Sequence, residues 1–214
     1  MIKTYFLEIN ELKKMFSYDE LYNKVSSYRK EKVDRLKFEN DKWLSLGAEY
    51  LLIKGLKELN IDYSKTEIEH IENGKPIFKG YPQNIHYNLS HSGEMAMCVI
   101  SDSEVGCDIQ KIYPKENFLD IAKRFYHPKE YEMIINAEEN EKLKVFYRIW
   151  VLKESYIKVT GKGLQTTLQD FRISFENNDI KLYIKDIQQD KYYFIENDLE
   201  NPDYKSATCI EKQS

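Results

Sequence analysis

Three polar side chains in the second half of this 214-residue chain have types and spacings suited to holding a hard cation, Asp108, Gln110 and Glu154, and Lys158 lies one helical turn from the last of them. The segment Glu104 to Ile112 reads E-V-G-C-D-I-Q-K-I. In a strand its alternation sends Val105, Cys107 and Ile109 to one face and Gly106, Asp108 and Gln110 to the other. Two oxygen-bearing side chains then project together, and Gly106 leaves room for a close neighbour. The segment Phe146 to Lys158, F-Y-R-I-W-V-L-K-E-S-Y-I-K, repeats apolar residues at Phe146, Ile149, Trp150 and Ile157, which predicts an amphipathic helix with one buried stripe. Lys153 falls inside that stripe, while Glu154 and Lys158, four apart, share its flank. Asp108, Gln110 and Glu154 together make a candidate hard-cation site of carboxylate, amide oxygen and water. The plain alternative is a solvated D-x-Q face, an ordinary i,i+4 ion pair, and a Lys153 that lays its stem on apolar surface and lifts its ammonium to water.

Other residues suit an anion. Arg29 and Lys32, three apart in a helix-like basic stretch, share a face and can grip one dianion; Glu31 and Asp34, interleaved with them, equally suit a solvated charged face. Asn73-Gly74-Lys75-Pro76 is a turn that presents Lys75 outward. Ser90-His91-Ser92-Gly93 is expected to be a tight connection placing hydroxyls and an imidazole around one small volume. Ser90 and His91 are chain neighbours, poorly disposed as nucleophile and base, and no G-x-S-x-G elbow is present, so anion or hydroxyl binding is the expectation. Glu130 lies in the first turn of a helix opened by His127-Pro128, where a helix-dipole role and a catalytic role stay open.

The elements that must position these groups alternate along the chain. A strand is predicted over 4–9, helices near 11–16 and over 41–59, strands over 85–89 and 95–100, and helices over 118–125 and from 127 onward. Gly161 and Gly163 should stop the central helix. Four short alternating segments within 171–210 predict a closing antiparallel meander. A net charge of -4 supplies no basic field for nucleic acid or anionic membrane, so any anion site must be local. Three widely spaced cysteines among apolar residues read as reduced buried thiols. Reduced thiols predict a cytoplasmic location, and the acid at Glu8 and the lack of a long apolar run predict no signal peptide and no membrane span.

Taken in order, G-K-P (74–76), N-L-S-H-S (88–92), V-G-C-D-I-Q (105–110) and W-V-L-K-E-S-Y-I-K (150–158) resemble the phosphopantetheinyl transferases, and more narrowly their surfactin-synthetase-activating type. The resemblance implies an α+β fold of two pseudo-symmetric halves, 1–104 and 105–214, with the site in the cleft between them. It implies an enzyme that transfers the 4'-phosphopantetheine arm of coenzyme A to a serine of an apo acyl or peptidyl carrier protein, releasing adenosine 3',5'-bisphosphate. Mg²⁺, with Mn²⁺ as an alternative, would be held by Asp108, Gln110 and Glu154. Lys158 would meet the phosphate under attack, supported by Lys153. Glu154 would take the serine proton, with Glu130 as the competing base. Arg29 and Lys32 would hold the 3'-phosphate, Lys75 and Pro76 would flank adenine, and Ser90 and His91 would contact nucleotide and phosphate. A monomer is implied, with the carrier docking an acidic helix on positive and apolar surface near the cleft. Two departures stand out. Gln110 replaces the second acid of the usual D-x-E, which removes one charge from the cation site, and near Trp43 only Ser45 offers a polar contact for the 3'-phosphate. The rival expectation is a non-catalytic coenzyme A binding protein that keeps the fold.

Overall fold

The protein is described from a computed structural model covering residues 1–71, 74–114, 116–163, 166–177 and 179–213. Asn73, named in the turn expectation, lies outside the described residues.

In chain order the elements are β1 (Ile2–Glu8), α1 (Ile9–Met15), α2 (Tyr18–Tyr22), α3 (Ser27–Asp34), α4 (Glu39–Glu58), β2 (Ile68–His70), β3 (Pro76–Phe78), β4 (His86–Ser92), β5 (Met95–Ser101) and β6 (Val105–Lys111). They continue with α5 (Phe118–Phe125), α6 (Pro128–Ile135), α7 (Lys142–Thr160), β7 (Phe171–Glu176), β8 (Asp179–Ile184), β9 (Ile187–Gln188), β10 (Tyr192–Glu196) and β11 (Tyr204–Glu211). The architecture is α+β. One antiparallel sheet has the order β1-β5-β4 and another β10-β11-β6. A long helix backs each: α4 buries Ala48, Leu51, Leu52 and Leu56 against Tyr87, Ala96, Cys98 and Ile100, and α7 buries Val151, Leu152, Tyr156 and Val159 against Ala207 and Cys209. Removing these side chains from water is the main force holding each helix to its sheet.

Three expectations need correcting. The segments within 171–210 do not form one meander: β7-β8-β9 is a separate sheet, while β10 and β11 join β6. Ser90-His91-Ser92 is no tight connection, because β4 runs through Ser92 and the turn falls at Gly93, with φ +61. The central helix has no single stripe. Besides the face above, Phe146, Tyr147 and Ile149 are buried in a second cluster with Tyr126 and Ile134, so α7 is embedded between two cores. A one-stripe pattern describes a surface helix, and this one lies inside.

The two main sheets meet along β4 and β6 without a backbone ladder. Asn88, Ser90 and Ser92 of β4, two apart and so on one face, use side-chain oxygens to accept from the backbone N–H groups of Cys107, Ile109 and Lys111 at 3.0, 3.3 and 3.1 Å. The constant offset of 19 residues means that the strands run parallel. Each bond satisfies a donor that β6 would otherwise bury unpaired. On the other side of β6, a Cβ added at Gly106 would lie 2.2 Å from the carbonyl oxygen of Ser155 and 2.3 Å from the Val159 nitrogen. Only glycine lets α7 approach β6 so closely. Gly161 closes α7 in the left-handed conformation at φ 65, as its type predicts.

Candidate active site

Between the sheets lies a cleft of about 410 Å³. Arg29 and Lys32 from α3, Pro76 from β3, Ser90 and His91 from β4, Asp108 and Gln110 from β6, and Glu154 and Lys158 from α7 all line it. Nine of the expected residues, spread over some 130 positions of sequence, thus share one wall system.

Its centre is a compact charge network. Asp108 is buried, and its Oδ1 accepts from Lys158 Nζ at 2.7 Å and from Ser90 Oγ at 2.9 Å. Its Oδ2 accepts from Gln110 Nε2 at 3.1 Å, and Lys158 Nζ also donates to Ser90 Oγ at 3.0 Å. Burial works against the Lys158 ammonium, but Asp108 outweighs it and holds its pKa above the ordinary lysine value. Glu154 behaves oppositely. Burial first, and then the nearby Asp108 charge, push its carboxyl up, while Lys158 pulls only partly the other way. Lys158 therefore serves Asp108 on β6 before Glu154 on its own helix, and the plain i,i+4 pair does not form.

The cationic end is organised from α4. Arg29 is buried; its Nε donates to Glu49 Oε2 at 2.7 Å and its Nη1 to Ser45 Oγ at 3.1 Å. Glu49, also buried, accepts from Tyr63 Oη at 2.6 Å and from the Ser26 nitrogen at 2.7 Å. Burial opposes the Glu49 charge, yet Arg29, Tyr63 and Ser26 hold its carboxyl below the usual range. Ser45 thus orients Arg29. Burial lowers the pKa of Lys32, helped by Arg29 and Lys158. His91 still opens to solvent, but desolvation within the concavity, joined by Lys32, Lys158 and Arg29, pushes its imidazole down to about 4. A local positive field in an acidic protein is what an incoming polyanion would neutralise.

Lys153 and Glu130 are placed away from the cleft, and Lys75 lies next to it beside Pro76 and Lys158. Lys153 is 0 % exposed, and its Nζ lies 2.8 Å from both oxygens of Glu130, itself 0 % exposed, and 2.7 Å from the Phe171 carbonyl oxygen. Glu130 also accepts from the Ile173 nitrogen at 2.6 Å and from the His127 nitrogen at 3.0 Å, completing a capping box at the start of α6. Its oxygens are occupied inside the core, so Glu130 is a buried tie between α6, α7 and β7 instead of a base facing the cleft. Lys153, expected first as a snorkelling side chain and then as phosphate support, is its counter-ion; burial pulls the ammonium down to about 8. Lys75 donates to Glu104 Oε2 at 2.6 Å and to the Val159 carbonyl at 3.1 Å, which makes its side chain a strut onto the end of α7. Sequence reasoning gave no role to Glu49 or to Asn88. Acids inside apolar helical runs and an N-x-S-x-S alternation were the available signals.

The arrangement sets Arg29, Lys32 and Lys158 along α3, β4 and α7 as a local positive field for an anion, beside the carboxylates of Asp108 and Glu154. Among the described residues no group of three or more His, Cys, Asp or Glu side chains is placed to hold a metal. No helix among the described residues is long and apolar enough to cross a membrane.

Comparison with known proteins agrees with this geometry. Residues 104–209 match the 4'-phosphopantetheinyl transferase superfamily, and residues 14–103 match the family described as 4'-phosphopantetheinyl transferase, N-terminal. The chain is 30% identical over 187 residues to 4'-phosphopantetheinyl transferase Sfp of Bacillus subtilis, covering 86% of this chain and 81% of that protein. It is 33% identical over 186 residues to 4'-phosphopantetheinyl transferase gsp of Aneurinibacillus migulanus, covering 86% and 76%. A human relative, L-aminoadipate-semialdehyde dehydrogenase-phosphopantetheinyl transferase, is 31% identical over 189 residues, covering 82% of this chain and 60% of its own length. With two family matches meeting at residues 103 and 104 and a relative 30% identical over 86% of this chain, the chain belongs to the 4'-phosphopantetheinyl transferase superfamily.

Proposed function

We propose that this member of the family moves the 4'-phosphopantetheine arm of coenzyme A onto a serine of an apo carrier protein, releasing adenosine 3',5'-bisphosphate, with the cleft residues in the following roles. Arg29, oriented by Glu49 and Ser45, and Lys32 hold the 3'-phosphate. Ser90, His91 and Lys158 contact the pyrophosphate, and Lys158 meets the charge that develops on its oxygens as the bond to the pantetheine-bearing phosphorus breaks. Glu154 takes the serine proton; burial and Asp108 raise its proton affinity in the direction a general base requires. Pro76 contributes to the nucleotide side of the cleft, and Lys75 braces that wall.

The Asp108 and Glu154 carboxylates, with the Gln110 amide oxygen once its Nε2 leaves Asp108, would supply oxygen ligands to a divalent cation, Mg²⁺ or Mn²⁺, and the cation would offset the Asp108 charge that, after burial, raises the Glu154 carboxyl. When bound, the cation would neutralise pyrophosphate charge. The chain is expected to act as a cytoplasmic monomer and to receive the carrier through an acidic helix.

The observation that carries this reading is the Asp108, Lys158 and Ser90 network facing Glu154 at the junction of the two main sheets. The test is intact-protein mass spectrometry of an apo carrier protein incubated with coenzyme A, Mg²⁺ and this protein. A gain of one phosphopantetheine that disappears with Glu154→Ala and Asp108→Ala supports it. Coenzyme A binding without transfer to any of several carriers would favour the non-catalytic binding protein instead.

A further inference from the structure

The cationic end of the cleft carries an aromatic surface that the assignments above leave unused. Tyr28 immediately precedes Arg29 on α3, lines the cleft and is 39% exposed. One side of its ring is already occupied: the imidazole of His70 lies 3.9 Å away, centroid to centroid, at 37°. His70 belongs to β2 and faces Pro76 across the hairpin, and Pro76 lines the same cleft. The imidazole thus braces the phenol ring beside Pro76. Burial, and then Arg29 and Lys32, lower the pKa of His70, which favours the neutral imidazole next to the cations.

We propose that Tyr28 is the stacking surface for the nucleobase of the bound nucleotide, with His70 as the positioning residue that holds its ring in place. The inference rests on the reading of the cleft as a coenzyme A site. In a nucleoside 3'-phosphate the base is one sugar away from the phosphate, so it must lie close to the groups that grip that phosphate. Tyr28 and Lys32 are four apart on α3 and therefore neighbours on one helix face, with Arg29 beside them. The other aromatic side chain lining the cleft, Trp150, sits one turn before Glu154 at the carboxylate end and packs against Phe146 and Tyr126. Stacking on a phenol ring uses the π-face that every base has, so the contact secures a nucleobase without reading its edge.

The test is isothermal titration of the full chain with adenosine 3',5'-bisphosphate, guanosine 3',5'-bisphosphate and the abasic tetrahydrofuran 3,5-bisphosphate. Tyr28→Ala should weaken both nucleotides by roughly 10-fold or more and leave the abasic compound unchanged, which also shows that the variant is folded. Tyr28→Phe should bind all three as the wild type does. His70→Ala should reproduce a smaller, base-dependent loss. Equal loss for all three ligands in Tyr28→Ala, or no loss for any, overturns the proposal, as does a base-dependent loss produced by Trp150→Ala in its place. If the wild type binds none of the bisphosphates, the reading of the cleft falls as well; if it binds them without dependence on Tyr28, only this inference falls.

Discussion

Lys158 sets its Nζ 2.7 Å from Asp108 Oδ1, on a different element, although Glu154 lies one helical turn behind it on α7. The short approach of α7 to β6 makes this possible, and it leaves Glu154 as the carboxylate with raised proton affinity. Lys158 is thus the direct ion-pair partner of Asp108, while burial and then the Asp108 charge raise the proton affinity of Glu154.

Replacing Lys158 by Met should therefore act twice. Loss of a cation aimed at developing charge should lower the transfer rate by about 100-fold or more. Leaving Asp108 buried with only Ser90 and Gln110 as partners should cost about 1–3 kcal/mol of stability. Single-turnover transfer assays and urea denaturation measure the two separately. Unchanged turnover in a folded variant would remove Lys158 from the chemistry.

Gln110→Glu would restore a third carboxylate next to Asp108 and delete the 3.1 Å amide bond to Asp108 Oδ2. The expected outcome is a lower half-saturating Mg²⁺ concentration for transfer, together with a lower melting temperature in chelator, where like charges are uncompensated. Magnesium titrations and thermal melts with and without chelator decide it. Coincident wild-type and variant curves would mean that position 110 does not face the cation.

Glu130→Gln should be a stability variant. Both residues of the Glu130 and Lys153 pair are fully buried, so removing one charge strands the other, at a cost of about 3–5 kcal/mol. Transfer per folded molecule should stay within a few-fold of wild type. A variant with normal denaturation and abolished transfer would return Glu130 to the role of base.

The imidazole of His91, held down from 6.5 to about 4 by desolvation and by the Lys32, Lys158 and Arg29 charges, makes stability depend on pH. Between those values the unfolded chain binds a proton that the folded protein lacks. This contribution is complete above 6.5 and is lost as pH falls toward 4. Denaturation midpoints across that window should fall less steeply in His91→Gln. An anion bound beside His91 should draw its pKa back up, so binding of adenosine 3',5'-bisphosphate in the same window should take up protons, seen as a dependence of the binding heat on buffer ionisation.

Much of this site could be read from residue types and local periods. Asp108 and Gln110 fall on one strand face because alternation is a backbone property. Glu154 and Lys158 share a flank because four residues make roughly one helical turn. Gly106 and Gly161 announced a close approach and a helix stop, since few other residues tolerate either. The family resemblance was carried by the same motifs, and the comparisons bear it out.

Tertiary structure decided which partner each charge takes. Glu154 and Lys153 are adjacent on α7, yet one lines the cleft while the other is sealed in the core with Glu130; helical geometry alone does not say which neighbours arrive from α6 and β7. The register of β4 against β6 likewise depends on the packing of whole sheets, and it turns Asn88, Ser90 and Ser92 from loop-like polar residues into the seam beside the site. Local sequence fixes which groups can form charges and hydrogen bonds, through side-chain chemistry and short-range backbone geometry. Pairing depends on distances between segments far apart in the chain, which hydrophobic burial and close packing set for the molecule as a whole.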